Sequence, residues 1–153
     1  MAKSNSTAED FIRLYRAFEQ SGKGAQAELR RVAKPSDLIE VPAFYRLTQG
    51  FGQSENIRRL IYCLPWLKHQ DGGKTLGEVL ALSKVSEKRL FVIIRSGEPN
   101  DLVQLRRLLQ QVKPTVDFVK TAWLLIRWHQ PEQKQKLLED FFLHQQAPAK
   151  PSE

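Results

Sequence analysis

The chain has 153 residues, 41% of them hydrophobic, which suits one packed domain or two small halves that share a core. This composition excludes wholesale disorder, and no apolar stretch reaches the length of a membrane span or of a secretion signal. The 24 Lys+Arg residues exceed the 17 Asp+Glu residues, so the net charge of +7 favours a polyanionic partner.

The single cysteine, Cys63, lies in the apolar run 60–64 and has no partner for an internal disulfide. A buried structural thiol is a better interpretation of it than a nucleophile. A lone reduced cysteine is typical of a reducing compartment. We therefore expect a soluble, cytoplasmic protein.

Apolar residues recur at helical spacing along almost the whole chain. In the N-terminal part, residues 6–9 have the spacing of a capping box that begins the first helix. The apolar face of that helix carries Phe11, Leu14, Tyr15 and Phe18. Gly22 and Gly24 are expected to end it. Further helices are predicted over residues 27–33, 42–50 and 55–66, before a loop at 69–73.

The C-terminal part continues the helical pattern. Residues 75–78 form a second capping box, and Ser86 is positioned to cap the next helix. That helix contains the run 90–94, which is apolar on almost every side and is therefore expected at the centre of the core. Helices are also predicted over 100–112, over 116–128 and from Pro131 onwards.

These segments predict an all-α fold, with about eight or nine helices packed as two small bundles. We assign residues 1–96 to the first bundle, residues 97–146 to a second bundle that packs on it, and residues 147–153 to a disordered tail. No run alternates between apolar and polar residues over the length of a strand, so no sheet is predicted.

Paired arginines recur beside apolar residues. They occur in Leu-Arg-Arg-Val at 29–32, in Val-Gln-Leu-Arg-Arg-Leu-Leu at 103–109, and as Arg58 and Arg59 at the start of a mostly apolar helix. Arginine presents a planar fork of donors that suits phosphate oxygens, so the pairs indicate a surface for a polyanion rather than a pocket for a small molecule. A solvated charged face is the alternative interpretation for any one of them.

Helical geometry predicts where these side chains point. At about 100° per residue, Arg107 projects almost opposite the apolar stripe of its helix, whereas Arg106 lies at the flank with its head in water. Lys88 and Arg95 share one face of the preceding helix. Arg89 is expected either on that basic surface or in a structural ion pair.

On the last helix, Lys136 points away from the apolar stripe, and Lys134 lies closer to it. The candidate nucleic-acid-binding residues are therefore Arg30, Arg31, Lys88, Arg89, Arg95, Arg106, Arg107, Lys134 and Lys136. Since the tryptophans and tyrosines occupy core positions of the helical pattern, the charges favour contact with a nucleic-acid backbone over base readout.

Catalysis has little support in the sequence. His69, His129 and His144 lie far apart, and none has a metal-ligating partner at the spacing of one helical turn. His69 and Asp71 are close enough for acid–base chemistry, but a histidine followed by Asp-Gly-Gly is more typical of a solvated turn. Gly-Lys-Thr at 73–75 lacks the first glycine of a phosphate-binding loop. No catalytic residue, metal site or cofactor is predicted.

Collinear motifs between Tyr15 and Leu143 give the chain a resemblance to a known family. The motifs are Leu-Arg-Arg-Val (29–32) with Pro35, Val-Pro-Ala-Phe-Tyr-Arg-Leu (41–47) with Phe-Gly (51–52), Cys-Leu (63–64), His-Gln-Asp (69–71), Leu-Gly (76–77), Lys-Arg-Leu-Phe (88–91) with Ile-Arg (94–95), 103–109, and Leu-Leu-Glu-Asp-Phe (137–141). With these motifs in this order, the chain resembles the CasB family, the small subunit of the type I-E CRISPR surveillance complex called Cascade.

The resemblance implies a non-enzymatic, all-helical protein that is present as two copies in an RNA-guided antiviral assembly. Its implied partners are the backbone subunits that hold the CRISPR RNA, the large subunit that recognises the protospacer-adjacent motif, a second copy of itself, and the target and displaced DNA strands. A basic helical face is then expected to stabilise the R-loop. A purely structural subunit, whose basic residues bind partner proteins, is the alternative hypothesis.

Overall fold

The computed structural model describes residues 8–145 of the chain. Within that range the α-helices are α1 (Ala8–Gln20), α2 (Lys23–Arg30), α3 (Pro42–Leu47), α4 (Glu55–Cys63), α5 (Leu76–Leu82), α6 (Glu87–Arg95), α7 (Asn100–Val112), α8 (Phe118–Ile126) and α9 (Pro131–His144). Short 3-10 helices cover Pro35–Glu40 and Leu64–Trp66, and the strands are β1 (Lys68–His69) and β2 (Thr115–Val116). The prediction of an essentially all-α fold is confirmed.

Side-chain caps begin two helices where the sequence predicts them. The Thr75 hydroxyl accepts a hydrogen bond from the Glu78 N–H at 3.3 Å, and the Ser86 hydroxyl accepts one from the Arg89 N–H at 3.1 Å. Each cap satisfies a donor that the first helical turn leaves unpaired. The start of the predicted capping box at 6–9 and the predicted tail at 147–153 lie outside the described residues.

A single hydrophobic cluster draws buried residues from all the helices named above. It includes the predicted apolar face of α1, namely Phe11, Leu14, Tyr15 and Phe18. α8 packs on α1 and α4, and α5 packs on α9. Buried side chains from both sides of the predicted boundary after residue 96 thus belong to one cluster, and the division into two bundles stays a prediction.

The junction between α1 and α2 differs from the prediction. α2 starts earlier than expected, so Gly24 lies in its first turn and does not separate the helices. The Gln26 side-chain amide explains the tight junction, because it donates to the Phe18 carbonyl at 3.0 Å and to the Ser21 carbonyl at 3.1 Å. A polar side chain of α2 thereby binds carbonyls at the end of α1 and just beyond it.

A proline shortens the fourth predicted helix. The pattern predicts one helix over 55–66, but α4 ends at Cys63 and a 3-10 turn follows. Pro65 has no N–H to donate to the carbonyl four residues earlier, so the α-helix cannot continue through it. Cys63 itself is buried, as its apolar surroundings predict.

The expectation that α6 lies at the centre of the core is wrong. Leu90 and Ile93 are buried, but Val92 on the opposite side is 48% exposed. α6 packs mainly against α7, which covers one side of it. α6 therefore lies at the periphery of the fold, although its residues 90–94 are all apolar.

The strands β1 and β2 form a parallel pair that no sequence pattern predicts, because two residues are too few to show an alternation. The register pairs Lys68 with Thr115 and His69 with Val116. Lys113, just before β2, has a left-handed backbone with φ of 51° and ends α7. The strand pair thus brings the segment after α4 next to the end of α7.

Candidate nucleic-acid interface

Arg106 joins the C-terminal end of α2 to the middle of α7. Its guanidinium donates to the Val32 carbonyl at 2.6 Å and to the Arg30 carbonyl, and it lies 4.4 Å from the centroid of the Tyr62 ring. Arg106 is 4% exposed, so the expectation that its head lies in water is wrong. Carbonyls at a helix C-terminus need donors, and arginine supplies several. Arg106 is therefore engaged within the fold and is not free to contact a polyanion.

The surface beside this junction forms a groove of about 500 Å³, which we call the Arg30 groove. Three separate elements contribute its cations: Arg30 ends α2, Lys68 begins β1, and Lys113 follows α7. The aromatic lining consists of Tyr15, Phe18 and Trp66. Tyr15 and Phe18 are buried, so the partly exposed Trp66 is the ring of this groove that a base of a single strand can reach.

The aromatic rings orient Arg30. Its guanidinium carbon lies 5.9 Å from the Phe18 ring centroid and 5.7 Å from the Trp66 ring centroid. Cation–π contacts hold the side chain in place without neutralising its charge. In the described part of the chain, the buried Nε1 of Trp66 has no hydrogen-bond partner. The groove therefore combines an oriented cation with an unpaired N–H on one of its rings.

The Arg30 groove has an excess of positive charge. Glu19 is the one carboxylate among its described lining residues, and its three cations form no ion pair within residues 8–145. Burial raises the pKa of Tyr15, and the hydrogen bond that its hydroxyl accepts from the His69 N–H opposes this less strongly. Tyr15 therefore stays a neutral phenol at neutral pH and adds no negative charge to the groove.

Lys68 and Lys113 are not among the binding residues that the sequence predicts. Each is an isolated lysine in a short connecting segment, without a paired or periodic pattern around it. The parallel strand pair brings the two together, and that pair has no sequence signature. The one sequence feature that could have indicated this site is Trp66, because an aromatic residue at the end of a predicted helix is followed two positions later by Lys68.

A second basic surface lies on α6. Lys88 and Arg95 are both exposed and line one shallow depression of about 670 Å³, as their helical spacing predicts. Phe91 lies between these two residues in the sequence, and the centroid of its ring is 5.0 Å from the guanidinium carbon of Arg95. Arg89 is half-buried and donates to the Gln111 side chain on α7. The structure thus groups Lys88 with Arg95 and gives Arg89 an interhelical contact with an amide.

Lys134 is held by an ion pair between α9 and α7. Its Nζ lies 2.8 Å from Asp101 Oδ2 and 5.3 Å from the Trp128 ring centroid. Asp101 is fully buried and also accepts the Trp128 Nε1–H at 2.9 Å. Lys134 is therefore engaged within the fold, whereas Lys136 is exposed and lines a separate groove between α5, α8 and α9.

Arg31 and Arg107 are exposed, and their side chains form no ion pair or hydrogen bond with another described residue. The exposure of Arg107 agrees with its predicted position opposite the apolar stripe. The candidates with exposed cationic heads are thus Arg30, Arg31, Lys88, Arg95, Arg107 and Lys136.

His69 and Asp71 form a close pair, but the imidazole has a structural role. His69 Nε2 lies 2.6 Å from Asp71 Oδ1, and His69 Nδ1 accepts a hydrogen bond from the Phe118 N–H at 2.9 Å. Since Nδ1 accepts, Nε2 carries the proton and donates it to Asp71. Nδ1 therefore holds β1 against the start of α8, and Nε2 binds Asp71 in the turn after β1.

Metal-ligating clusters and membrane-spanning helices are both absent from the described residues. Within residues 8–145, His, Cys, Asp and Glu side chains do not gather in groups of three or more that could hold a metal ion. Each helix in this part of the chain is too short or too polar to cross a bilayer.

Comparisons with known proteins agree on one family. Residues 25–142 match the family model described as CRISPR-associated protein Cse2. The CRISPR system Cascade subunit CasB of Escherichia coli (strain K12) is 40% identical over 150 residues, which cover 88% of this chain and 93% of that protein. A chain in the crystal structure of E. coli Cascade bound to a PAM-containing dsDNA target matches with a TM-score of 0.84 and 40% identity, over 89% of this chain and 96% of that chain. The resemblance to CasB is thereby confirmed, and the chain belongs to the Cse2 family of CRISPR-associated proteins.

Proposed function

We propose that this protein is a non-catalytic subunit of a type I-E Cascade complex and that its basic surface holds target DNA, above all the displaced strand of the R-loop. The observation that carries the proposal is the Arg30 groove, where Arg30, Lys68 and Lys113 lie among aromatic rings without carboxylate partners in the described chain. Family membership supports it, because the E. coli relative is named a Cascade subunit and the matching structure is of Cascade bound to dsDNA.

A small number of contacts is sufficient for this role. Replacing a DNA duplex by an RNA–DNA hybrid is nearly neutral in free energy, so modest contacts with the displaced strand shift the balance. Each phosphate that a cation neutralises releases counterions, and no base needs to be read. Outside the groove, the proposed contacts are Arg31, Lys88, Arg95, Arg107 and Lys136.

The proposed partners are the Cascade backbone subunits with their CRISPR RNA, the large subunit that recognises the PAM, and a second copy of this chain. The likeness to a chain of E. coli Cascade bound to PAM-containing dsDNA supports an assembly of this kind. Arg106 and Lys134 have a different role in this proposal, because they keep the helices that carry the surface in place.

A double variant of the Arg30 groove, Lys68→Ala with Lys113→Ala, tests the proposal in the assembled complex. We expect weaker DNA binding without a change in base preference. We also expect the slope of log affinity against log salt to flatten by about 1.4, since each lost contact with a single strand removes about 0.7. Filter binding over a series of salt concentrations measures both quantities.

The matched control is Lys23→Ala with Lys34→Ala, because both lysines are exposed and lie outside the groove lining. The control should leave the salt slope closer to that of the unmodified complex. A groove variant that assembles normally and keeps the full slope would contradict the proposal.

The second candidate function is a purely structural subunit whose basic residues bind carboxylates of neighbouring proteins. Arg106 and Lys134 are engaged within the fold, so fewer of the candidate cations are available to DNA, which is consistent with this role. Photocrosslinking of the assembled complex separates the two candidates. DNA adducts on peptides that contain Arg30 or Lys68 support DNA binding, whereas adducts to protein alone support the structural role.

A further inference from the structure

The groove between α5, α8 and α9 is a second concave surface, with a volume of about 350 Å³. Its lining includes three buried leucines, Leu76, Leu124 and Leu137. A concave apolar floor of this size has room for an aliphatic side chain of a ligand together with part of its backbone.

Cations surround this apolar floor. Lys120, Arg127 and Lys136 line the groove, and none of them forms an ion pair within residues 8–145. Asp140 is the one carboxylate among the described lining residues. An excess of positive charge over an apolar floor is complementary to a ligand that carries carboxylates on both sides of an aliphatic side chain.

The groove also contains an unsatisfied hydroxyl. Thr121 is 1% exposed, and its Oγ1 has no hydrogen-bond partner among the described residues. A helical threonine commonly bonds to a carbonyl of the preceding turn, so a buried hydroxyl without that bond is unfavourable. A peptide backbone in the groove supplies both donors and acceptors and can satisfy it.

The aromatic residue of the groove argues against a nucleotide as the ligand. The Arg127 guanidinium lies over the Trp123 ring, 4.4 Å from its centroid, and Phe11 packs edge-on against the same ring at 4.9 Å. The ring is therefore not a free platform for a base, and the leucine floor offers no other aromatic surface. The lining suits an acidic peptide better than a single strand.

We propose that the α5–α8–α9 groove binds a short acidic segment of a partner protein. An aliphatic side chain of the segment rests on the leucine floor, carboxylates contact Lys120 and Arg127, and a backbone polar group bonds to the Thr121 hydroxyl. The proposal goes beyond DNA binding and does not depend on the residues of the Arg30 groove.

The full chain and a synthetic capped peptide, with one leucine among glutamates, provide the test. In amide NMR spectra we expect the peptide to shift the signals of α5, α8 and α9 residues that line the groove. A peptide with serine in place of the leucine should bind about tenfold more weakly, because it buries less apolar surface.

Two exposed lysines give matched charge reversals. Lys120→Glu should weaken binding of the leucine peptide about tenfold through local repulsion. Lys68→Glu, in the Arg30 groove, should leave peptide binding within about twofold because the Debye length limits its reach. Thr121→Val should lower the affinity severalfold and keep or raise Tm, because it removes an unpaired hydroxyl from the interior.

The proposal is overturned by any of four results. These are equal binding of the leucine and serine peptides, equal weakening by Lys120→Glu and Lys68→Glu, unchanged affinity in Thr121→Val, or displacement of the peptide by oligothymidylate at the same amide signals. Loss of DNA binding by the Arg30 groove variants has no bearing on these results, so the two proposals fail separately.

Discussion

Arg106 and Arg107 are neighbours on α7 but lie in opposite environments. The Arg106 guanidinium is buried and donates to carbonyls at the end of α2, while Arg107 is exposed. Adjacent helical residues differ by about 100° in direction, which is enough to place one at the core and the other in solvent. The pair therefore divides into one residue that stabilises the fold and one that can meet a ligand.

Alanine substitutions at these two positions should have contrasting effects. Arg106→Ala leaves buried carbonyls without donors, so we expect the free energy of unfolding to fall by about 3 kcal/mol. Arg107→Ala changes an exposed side chain and should alter it by no more than about 0.5 kcal/mol, while weakening DNA binding of the assembled complex. Urea denaturation of the isolated chain measures the first effect. Equal stability of the two variants would show that the Arg106 contacts contribute little.

Cys63 illustrates how burial sets reactivity. Desolvation raises the pKa of its thiol to about 12, against the smaller lowering effect of the nearby Arg106. The thiol thus stays protonated in the native state at every ordinary pH, and the thiolate is the reactive form. In the unfolded state the pKa returns to its ordinary value, so rising alkaline pH favours unfolding.

We expect a thiol-specific reagent at mildly alkaline pH to label native Cys63 only as fast as the protein opens. Addition of urea should increase the labelling rate by orders of magnitude, and absorbance of the released reagent group follows it. Tm should also fall as pH rises through the ordinary cysteine pKa towards 12. Rapid labelling without denaturant would contradict the buried, protonated thiol.

Among the helices, α5 and α9 approach each other at a glycine. A Cβ atom on Gly77 would lie 2.7 Å from the Leu137 carbonyl oxygen and 2.7 Å from Asp140 Cβ. Backbone atoms of a packed helix cannot move away without disturbing the core. Gly77 therefore permits the close packing that also forms one side of the α5–α8–α9 groove.

Gly77→Ala should lower the free energy of unfolding by about 1–3 kcal/mol, because the added methyl group overpacks the helix contact. Gly97→Ala is the matched control, since a Cβ there meets no atom within 4 Å. The control should be neutral or stabilise by up to about 1 kcal/mol. Thermal unfolding of both variants distinguishes overpacking from a general effect of losing a glycine.

The sequence predicts a feature of a helix correctly when that feature depends only on residues within the helix. The Thr75 and Ser86 caps and the apolar face of α1 follow from spacing alone. The peripheral position of α6 does not, because the sequence of a helix does not say how many neighbours cover it. The β1–β2 pair is likewise set by tertiary packing.

In the candidate site too, the sequence predicts features that depend on one helix and does not predict contacts between residues remote in sequence. Spacing predicts the exposure of Lys88, Arg95 and Arg107. It cannot predict that Arg106 donates hydrogen bonds to carbonyls at the end of α2 or that Lys134 pairs with buried Asp101. In both cases the partner is remote in sequence. The grouping of Lys68 with Lys113 also depends on long-range packing.

Charge distribution over the whole molecule leads to a last prediction. The net charge is +7, and within residues 8–145 ion pairs between Lys or Arg and a carboxylate involve Arg13, Arg59 and Lys134. Most cations therefore repel one another in the free chain, and salt screens that repulsion. We expect Tm of the isolated chain to rise by about 2–4 °C, equivalent to about 1 kcal/mol, between low and moderate salt.

DNA binding by the assembled complex should respond to salt in the opposite direction, because counterion release weakens as salt rises. Differential scanning calorimetry and filter binding over the same salt series measure the two responses. A Tm that falls with added salt would mean that attractive pairs outweigh the repulsion. In that case the exposed cations are already neutralised within the chain, and the basic surface has little charge left for a DNA strand.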